Sequence, residues 1–240
     1  MARLMNNTGV VVDIFNLQKE DVSADVIILG ACRINRFLGQ TLYAYPVAAH
    51  LIGGYWYLDS INASDALKKQ WLIHEAFESY SGVDLPSPLK AELPLYKEAE
   101  NRALKVIAEA FGVSPVESDE IKKLDRSIMV AEALTIMPNS NYWINFAKDN
   151  NIETLSSAYV LREDQCNERD LKVMLTSIWN KLFNSSLKEE KSETERLMRI
   201  AMLNADVKLL TNMGFYGQDI KRAVDYACEY LSLNSKKKED

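Results

Sequence analysis

Along most of the chain apolar residues return at the three- and four-residue spacing of helices, not the two-residue spacing of strands. One short exception stands near the start, where "GVVVDIF" (9–15) reads as a strand. After it, helix follows helix. Ser23 is placed to cap a helix from Ala24 to about Leu38, closed by Gly39. Pro46 suits the first turn of a second helix, which runs to about Leu58. A third spans about Ser64 to Tyr80 and is ended by "SG". The stretch "VDLPSPLKAELP" carries three prolines, which predicts an ordered loop with little helix. Two more helices are expected at about 94–111 and 117–137, stopped by Gly112 and Pro138.

Past Pro138 the pattern changes. "NSNYWINFAKDNNIET" is polar and aromatic, and helices then resume at about 168–184, 193–213 and 217–233. Ser192 and Glu195 form a capping box for the second of these. The charge run "LKEEKSETE" reads as a solvated loop and helix start, and the final "KKKED" as a frayed tail. No internal repeat is visible. The expected fold is all-α, a helical bundle over residues 1–140 followed by a helical extension over 141–240.

Composition narrows the function classes. The chain has 240 residues, 48% hydrophobic and 26% charged, with a formal charge of −6. That balance argues against broad nonspecific binding to nucleic acid, while leaving room for a local basic pocket for a small phosphate ligand. Cys32, Cys166 and Cys228 are scattered without C-x-x-C spacing, which suits a reducing compartment better than a disulfide framework. No run approaches the roughly 18 apolar residues of a membrane span, and the first residues lack the apolar core of a signal peptide. A cytoplasmic protein with no membrane partner is expected.

The chemistry concentrates in "WLIHEAFESY" (71–80), one position away from the zinc-protease signature H-E-x-x-H. Glu78 stands where the second histidine would be. The chain holds only two histidines, His50 and His74, each within an expected helix beside apolar neighbours. Either could be a buried, hydrogen-bonded core histidine. Against that reading, Glu75 directly follows His74, and core packing rejects an unpaired glutamate. Glu78 lies one turn further on, and Asp125 sits in an expected helix among Leu124, Ile128 and Met129. Two imidazoles with two carboxylates make a borderline-to-hard site for Zn²⁺, Mn²⁺, Co²⁺ or Fe²⁺, with Mg²⁺ also admissible.

Four ordered motifs give these residues a context. "NRFLGQTLYAYPVAAH" (35–50), "HEAFE" (74–78), "GVDLPSPLK" (82–90) and "KKLD" (122–125) resemble, in order and spacing, the motifs of HD-domain phosphohydrolases. The branch most similar includes the YfbR-type 5'-deoxynucleotidases and the phage DatZ-type dATP triphosphohydrolases. The resemblance covers about residues 8–140. It implies an HD-type helical bundle with a divalent metal held by His50, His74, Glu75 and Asp125. It also implies catalytic roles for Glu78 and Asp84, and a nucleotide pocket built from Arg33, Arg36, Phe37, Pro86 and Lys90. The chain departs from the family pattern at Glu75, where the family has Asp, at Gln40, where it has His, and at Val83, an extra residue.

The implied activity is metal-dependent hydrolysis of a deoxynucleotide. Arg33 and Arg36, one turn apart on a helix, would suit a polyphosphate, with Lys122 or Lys123 as further charges. That favours a dNTP triphosphohydrolase, dATP by resemblance, which releases deoxynucleoside and triphosphate. The alternatives are a 5'-deoxynucleotidase acting on dNMPs and an HD-fold protein that binds nucleotide without turnover. The expected partner is a small nucleotide, with no nucleic acid, and a homo-oligomer is expected.

Overall fold

The computed structural model describes residues 3–115 and 117–184. Helices at 193–213 and 217–233, the Ser192 capping box, Cys228 and the basic tail therefore lie outside the described residues. Within them the fold is all-α. A hairpin of β1 (Arg3–Met5) and β2 (Val11–Asp13), paired antiparallel, is the sheet content. The helices are α1 (Ala24–Arg33), α2 (Val47–Ser60), α3 (Asp65–Ile73), α4 (Glu78–Ser81), α5 (Ser87–Ala91), α6 (Pro94–Ala110), α7 (Asp119–Ile136), α8 (Ser140–Asp149) and α9 (Glu168–Phe183). Among the described residues no helix is long and apolar enough to cross a membrane.

Helix α2 is the centre of the bundle and packs against α1, α3, α7 and α9. Its sequence VAAHLIGGYWYLDS lets it be buried nearly all round, from Val47 through Tyr55. Gly54 makes the closest of these approaches possible, because a Cβ there would collide with the Trp71 ring on α3. Trp71 is fully buried and donates its indole N–H to the Leu51 carbonyl at 2.8 Å, tying α3 to α2.

The outer helices follow their apolar stripes. Ala99, Ala103 and Ile107 form the buried face of α6, and Leu171, Leu175, Ile178 and Leu182 that of α9. Ser118 caps α7 by accepting from the Ile121 N–H, and Asn139 caps α8 by accepting from the Tyr142 N–H. The aromatic segment after Pro138 is therefore a helix, α8. Ala147 is its one buried residue. Residues up to Phe183 belong to one compact unit, with α9 against α1, α2 and α3.

Two expected helices are shorter than their patterns. The first stops at Arg33 instead of Leu38. Ile34 and Asn35 turn extended, and Asn35 bridges Pro46, with Arg36 N–H donating to the Tyr45 carbonyl. Phe37 and Leu38 then take left-handed backbone angles (φ 53° each) before Gly39 (φ 71°) closes the turn. Left-handed backbone is costly for bulky residues and persists where surrounding structure imposes it. The third helix breaks at His74–Phe77. There the Trp71 carbonyl accepts from the His74 ring, and the turn tightens to an Ala76 N–H to Ile73 carbonyl bond.

Candidate metal centre

The broken helix and the shortened one meet over α2. His50 comes from the buried middle of α2, and His74 from the end of α3. Glu75 follows in the turn, and Asp125 comes from α7. One ligand atom from each of these four residues lies within 4.8 Å of every other. The ring nitrogens His50 Nε2 and His74 Nε2 are 3.5 Å apart. Asp125 Oδ1 stands 3.4 Å from the first and 4.0 Å from the second, and Glu75 Oε1 stands 3.6 Å from His74 Nε2. The Trp71 ring backs both imidazoles, its centroid 4.8 Å from that of His50 and 4.3 Å from that of His74.

The outer nitrogens decide what the inner ones can do. His74 Nδ1 lies 2.5 Å from the Trp71 carbonyl, and His50 Nδ1 lies 2.8 Å from Glu132 Oε1. Both partners are acceptors, so in the neutral rings both Nδ1 atoms carry the proton and both Nε2 atoms present lone pairs to one point. Two lone pairs then face each other beside carboxylate oxygens. Asp125 Oδ1 is buried there and accepts no hydrogen bond among the described residues, although the Asp125 side chain as a whole is 35% exposed. This donor set, two imidazoles and two carboxylates with the outer ring nitrogens anchored, fits a divalent cation.

A second layer surrounds the first. Arg36, buried, directs Nε to Glu132 Oε2 at 3.0 Å and Nη1 to Glu75 Oε1 at 3.3 Å, with Asp84 at 3.9 Å. Burial works against its charge, but Glu132, Asp84 and Glu75 outweigh that and hold the guanidinium firmly protonated. Burial likewise pushes the Glu132 carboxyl up, and Arg36 and His50 overcome it, leaving its pKa below the ordinary carboxylate range. For Glu75, burial is outweighed by His74, Arg36 and Lys90, and its pKa also falls. Glu78 goes the other way, because burial and the adjacent Glu75 raise it well above the usual value. Lys90 holds Glu78 Oε1 at 2.9 Å, while Oε2 accepts from no donor among the described residues. Asp84 is raised as well, burial outweighing Arg36.

The nucleotide-pocket residues separate. Arg36 belongs to the centre, but its guanidinium is engaged by carboxylates. Arg33, at the exposed end of α1, forms a bidentate pair with Glu168 on α9, at 3.1 and 2.9 Å. The two arginines thus do not form one pair, since the helix that would have aligned them ends between them. Lys90 is occupied by Glu78 and Glu100. Phe37 sits edge-on to Trp143 of α8, ring centroids 5.8 Å apart, and beneath the Arg36 guanidinium. Pro86 precedes α5, and Gln40 is exposed at the end of the left-handed turn. Lys122 and Lys123 line a cleft of about 680 Å³ between α7 and the end of α8, together with Arg126 and Lys148. Burial pushes the thiols of Cys32 and Cys166 up to about 12, so neither is a ready nucleophile.

Sequence reasoning missed Glu132. Its signal is present in "MVAEAL", a glutamate inside an apolar helical run seven residues after Asp125, hence two turns along the same face.

No family model matches the chain. Over 128 residues it is 30% identical to a protein of Escherichia coli (strain K12) described as "Uncharacterized protein YfdR", an overlap of 53% of this chain and 68% of the relative. With that identity over that share of the relative, the chain belongs to the family of YfdR.

Proposed function

We propose that this protein is a metal-dependent phosphohydrolase of the HD type that acts on a deoxynucleotide. The observation that carries the reading is the convergence of His50 Nε2, His74 Nε2, Glu75 and Asp125 on one point, with both Nδ1 atoms anchored outward and a buried Asp125 oxygen lacking a donor. A divalent cation held by these four would supply a water of lowered pKa and polarise a phosphoryl oxygen.

The chain's own groups supply the rest. The carboxylates Glu75, Glu78, Asp84, Asp125 and Glu132 crowd around the cations Arg36 and Lys90, an environment that repels a phosphate until positive charge is added. Glu78 offers Oε2 for proton transfer, while Lys90 fixes Oε1. Burial and the adjacent Glu75 raise the pKa of Glu78, the direction that suits a group taking up a proton and giving it to a departing 5'-oxygen. Asp125, partly open to solvent, leaves the centre accessible from its side.

The number of phosphates is a separate matter. The sequence favours a triphosphate through Arg33 and Arg36 acting together, with Lys90, Lys122 or Lys123 in support. In the fold Arg33 pairs with Glu168, Lys90 with Glu78 and Glu100, and the two lysines line the α7–α8 cleft. That arrangement favours the second reading, a 5'-deoxynucleotidase that releases phosphate from dNMPs, over a dNTP triphosphohydrolase. Incubating the full chain with each dNMP and dNTP in the presence of Zn²⁺, Mn²⁺, Co²⁺ or Mg²⁺ tests both. Ion-exchange separation distinguishes phosphate from triphosphate as product. Absence of turnover with every substrate and metal contradicts the enzymatic reading.

A further inference from the structure

Glu132 is fully buried, and each of its oxygens has a different partner: Oε1 is 2.8 Å from His50 Nδ1 and Oε2 is 3.0 Å from Arg36 Nε. We propose that Glu132 is a positioning residue that sets the tautomer of His50, with Arg36 locking the carboxylate in place, so that an unprotonated Nε2 faces the metal centre. The tautomer assignment stands on the hydrogen-bond geometry. Its consequence for metal binding rests on the reading given under Proposed function.

The two histidines reach the same state by different means. His74 donates to a backbone carbonyl, that of Trp71, which no side-chain substitution removes. His50 depends on a side chain. A carboxylate only accepts hydrogen bonds, so His50 Nδ1 must carry the proton and, in the neutral ring, Nε2 must not. A carboxylate held by one oxygen could rotate away. The second oxygen prevents this, because Arg36 is a permanent donor that keeps its proton at any working pH. The same guanidinium reaches Glu75 at 3.3 Å on the opposite wall. Glu75, Arg36, Glu132 and His50 thus form one continuous link from the turn after α3 to the middle of α2.

Glu132→Gln isolates the effect, since it keeps the shape and changes the hydrogen-bonding rule. The amide has one accepting oxygen and one donating nitrogen. Arg36 cannot accept, so the amide oxygen must serve Arg36 and the NH₂ must face His50. Nδ1 then becomes an acceptor and the proton moves to Nε2, the atom that faces His74 and Asp125. A merely structural ion pair would lose stability in this variant without moving that proton.

The chain holds only two histidines, which makes the proton visible. Long-range ¹H–¹⁵N spectra of the imidazole rings are recorded on ¹⁵N-labelled full-length protein, with a chelator present, in mildly alkaline buffer. The wild type is expected to show Nδ1–H at both rings. Glu132→Gln is expected to switch His50 to Nε2–H while His74 stays unchanged as the internal control. Zn²⁺ titration of the same variant should show affinity weakened roughly 10–100-fold, the usual cost of losing an outer-shell partner. A wild-type His50 protonated on Nε2 overturns the proposal, as does a variant in which His50 keeps Nδ1–H. If Glu132→Gln does not fold, the wild-type spectrum alone decides: Nδ1–H at His50 supports the proposal and Nε2–H overturns it. Wild-type protein that shows the expected tautomers but binds no Zn²⁺ contradicts the metal reading and not the role of Glu132.

Discussion

The two long sides of helix α7 carry charges that do very different things. One side presents Asp125 and Glu132 to the bundle interior, where Glu132 is fully buried between Arg36 and His50 and Asp125 has a buried oxygen with no donor among the described residues. The other presents Lys122 and Lys123 to an open cleft, in loose pairs with Asp119 at 3.5 Å and Glu153 at 3.6 Å. In water such pairs are nearly worthless, because screening and side-chain entropy offset the attraction. Buried, each charge costs several kcal/mol unless it is matched, so the inner face tolerates only a specified geometry. The inner arrangement therefore points to a function that requires it, whereas the outer one is explained by solubility alone.

Substitutions on and around the two faces should separate them, and the largest expected effect is on turnover. Glu78→Ala should leave the metal in place and reduce turnover by roughly 10²–10⁴-fold, as loss of a proton-transfer group does. Steady-state rates alongside metal analysis check this, and near-wild-type turnover would place Glu78 in a purely structural pair with Lys90. Glu132→Ala should destabilise the fold by about 3–5 kcal/mol, since it leaves the Arg36 guanidinium buried without its nearest partner. Denaturant unfolding measures it, and a loss under about 1 kcal/mol would mean that the inner face is more solvated than its burial implies.

Smaller effects follow from packing and from the unusual ligand. Gly54→Ala drives a methyl into the Trp71 ring. It should cost about 1–3 kcal/mol by displacing the wall behind both histidines, read as a lowered melting temperature. Glu75→Asp, which shortens the proposed ligand to the length usual in the resembled family, should stay within roughly tenfold of wild-type turnover, about 1.4 kcal/mol of barrier. An inactive wild type rescued by that change would mark the natural chain as a nucleotide binder. Lys123→Ala should change stability by no more than about 0.5 kcal/mol, the range of ordinary surface substitutions.

Much of the candidate site is legible in the sequence, because its chemistry is tied to residue type, although Glu132 was missed. Histidine is rare in this chain, and a glutamate or aspartate inside an apolar helical run needs a reason to be there. His50, His74, Glu75 and Asp125 stand out on those grounds, and the fold gathers them. The helix termini are harder to read. A run with helical period from Ala24 to Leu38 gives no sign that Asn35 bridges Pro46, a contact made across the intervening turn, and so Arg33 and Arg36 read as sharing a face. The break at His74–Phe77 is hidden for a similar reason, since it depends on the His74 ring taking the Trp71 carbonyl. Lys90 reads as free because its partners, Glu78 and Glu100, lie on two other helices. Local pattern identifies which side chains carry chemistry; tertiary pairing decides which of them remain available.

His50, His74, Glu75 and Asp125 are expected to hold one divalent cation together. Titrating Co²⁺ into metal-free full-length protein, with visible absorption and calorimetry read together, tests it most directly. Stoichiometric binding of one ion is expected, with the absorption bands of a cobalt site carrying nitrogen and oxygen ligands. Binding should be lost in His74→Ala and in Asp125→Ala while circular dichroism still shows a helical fold. Wild-type protein that binds no Co²⁺, or binds it equally well after either substitution, would mean that these residues form no metal centre.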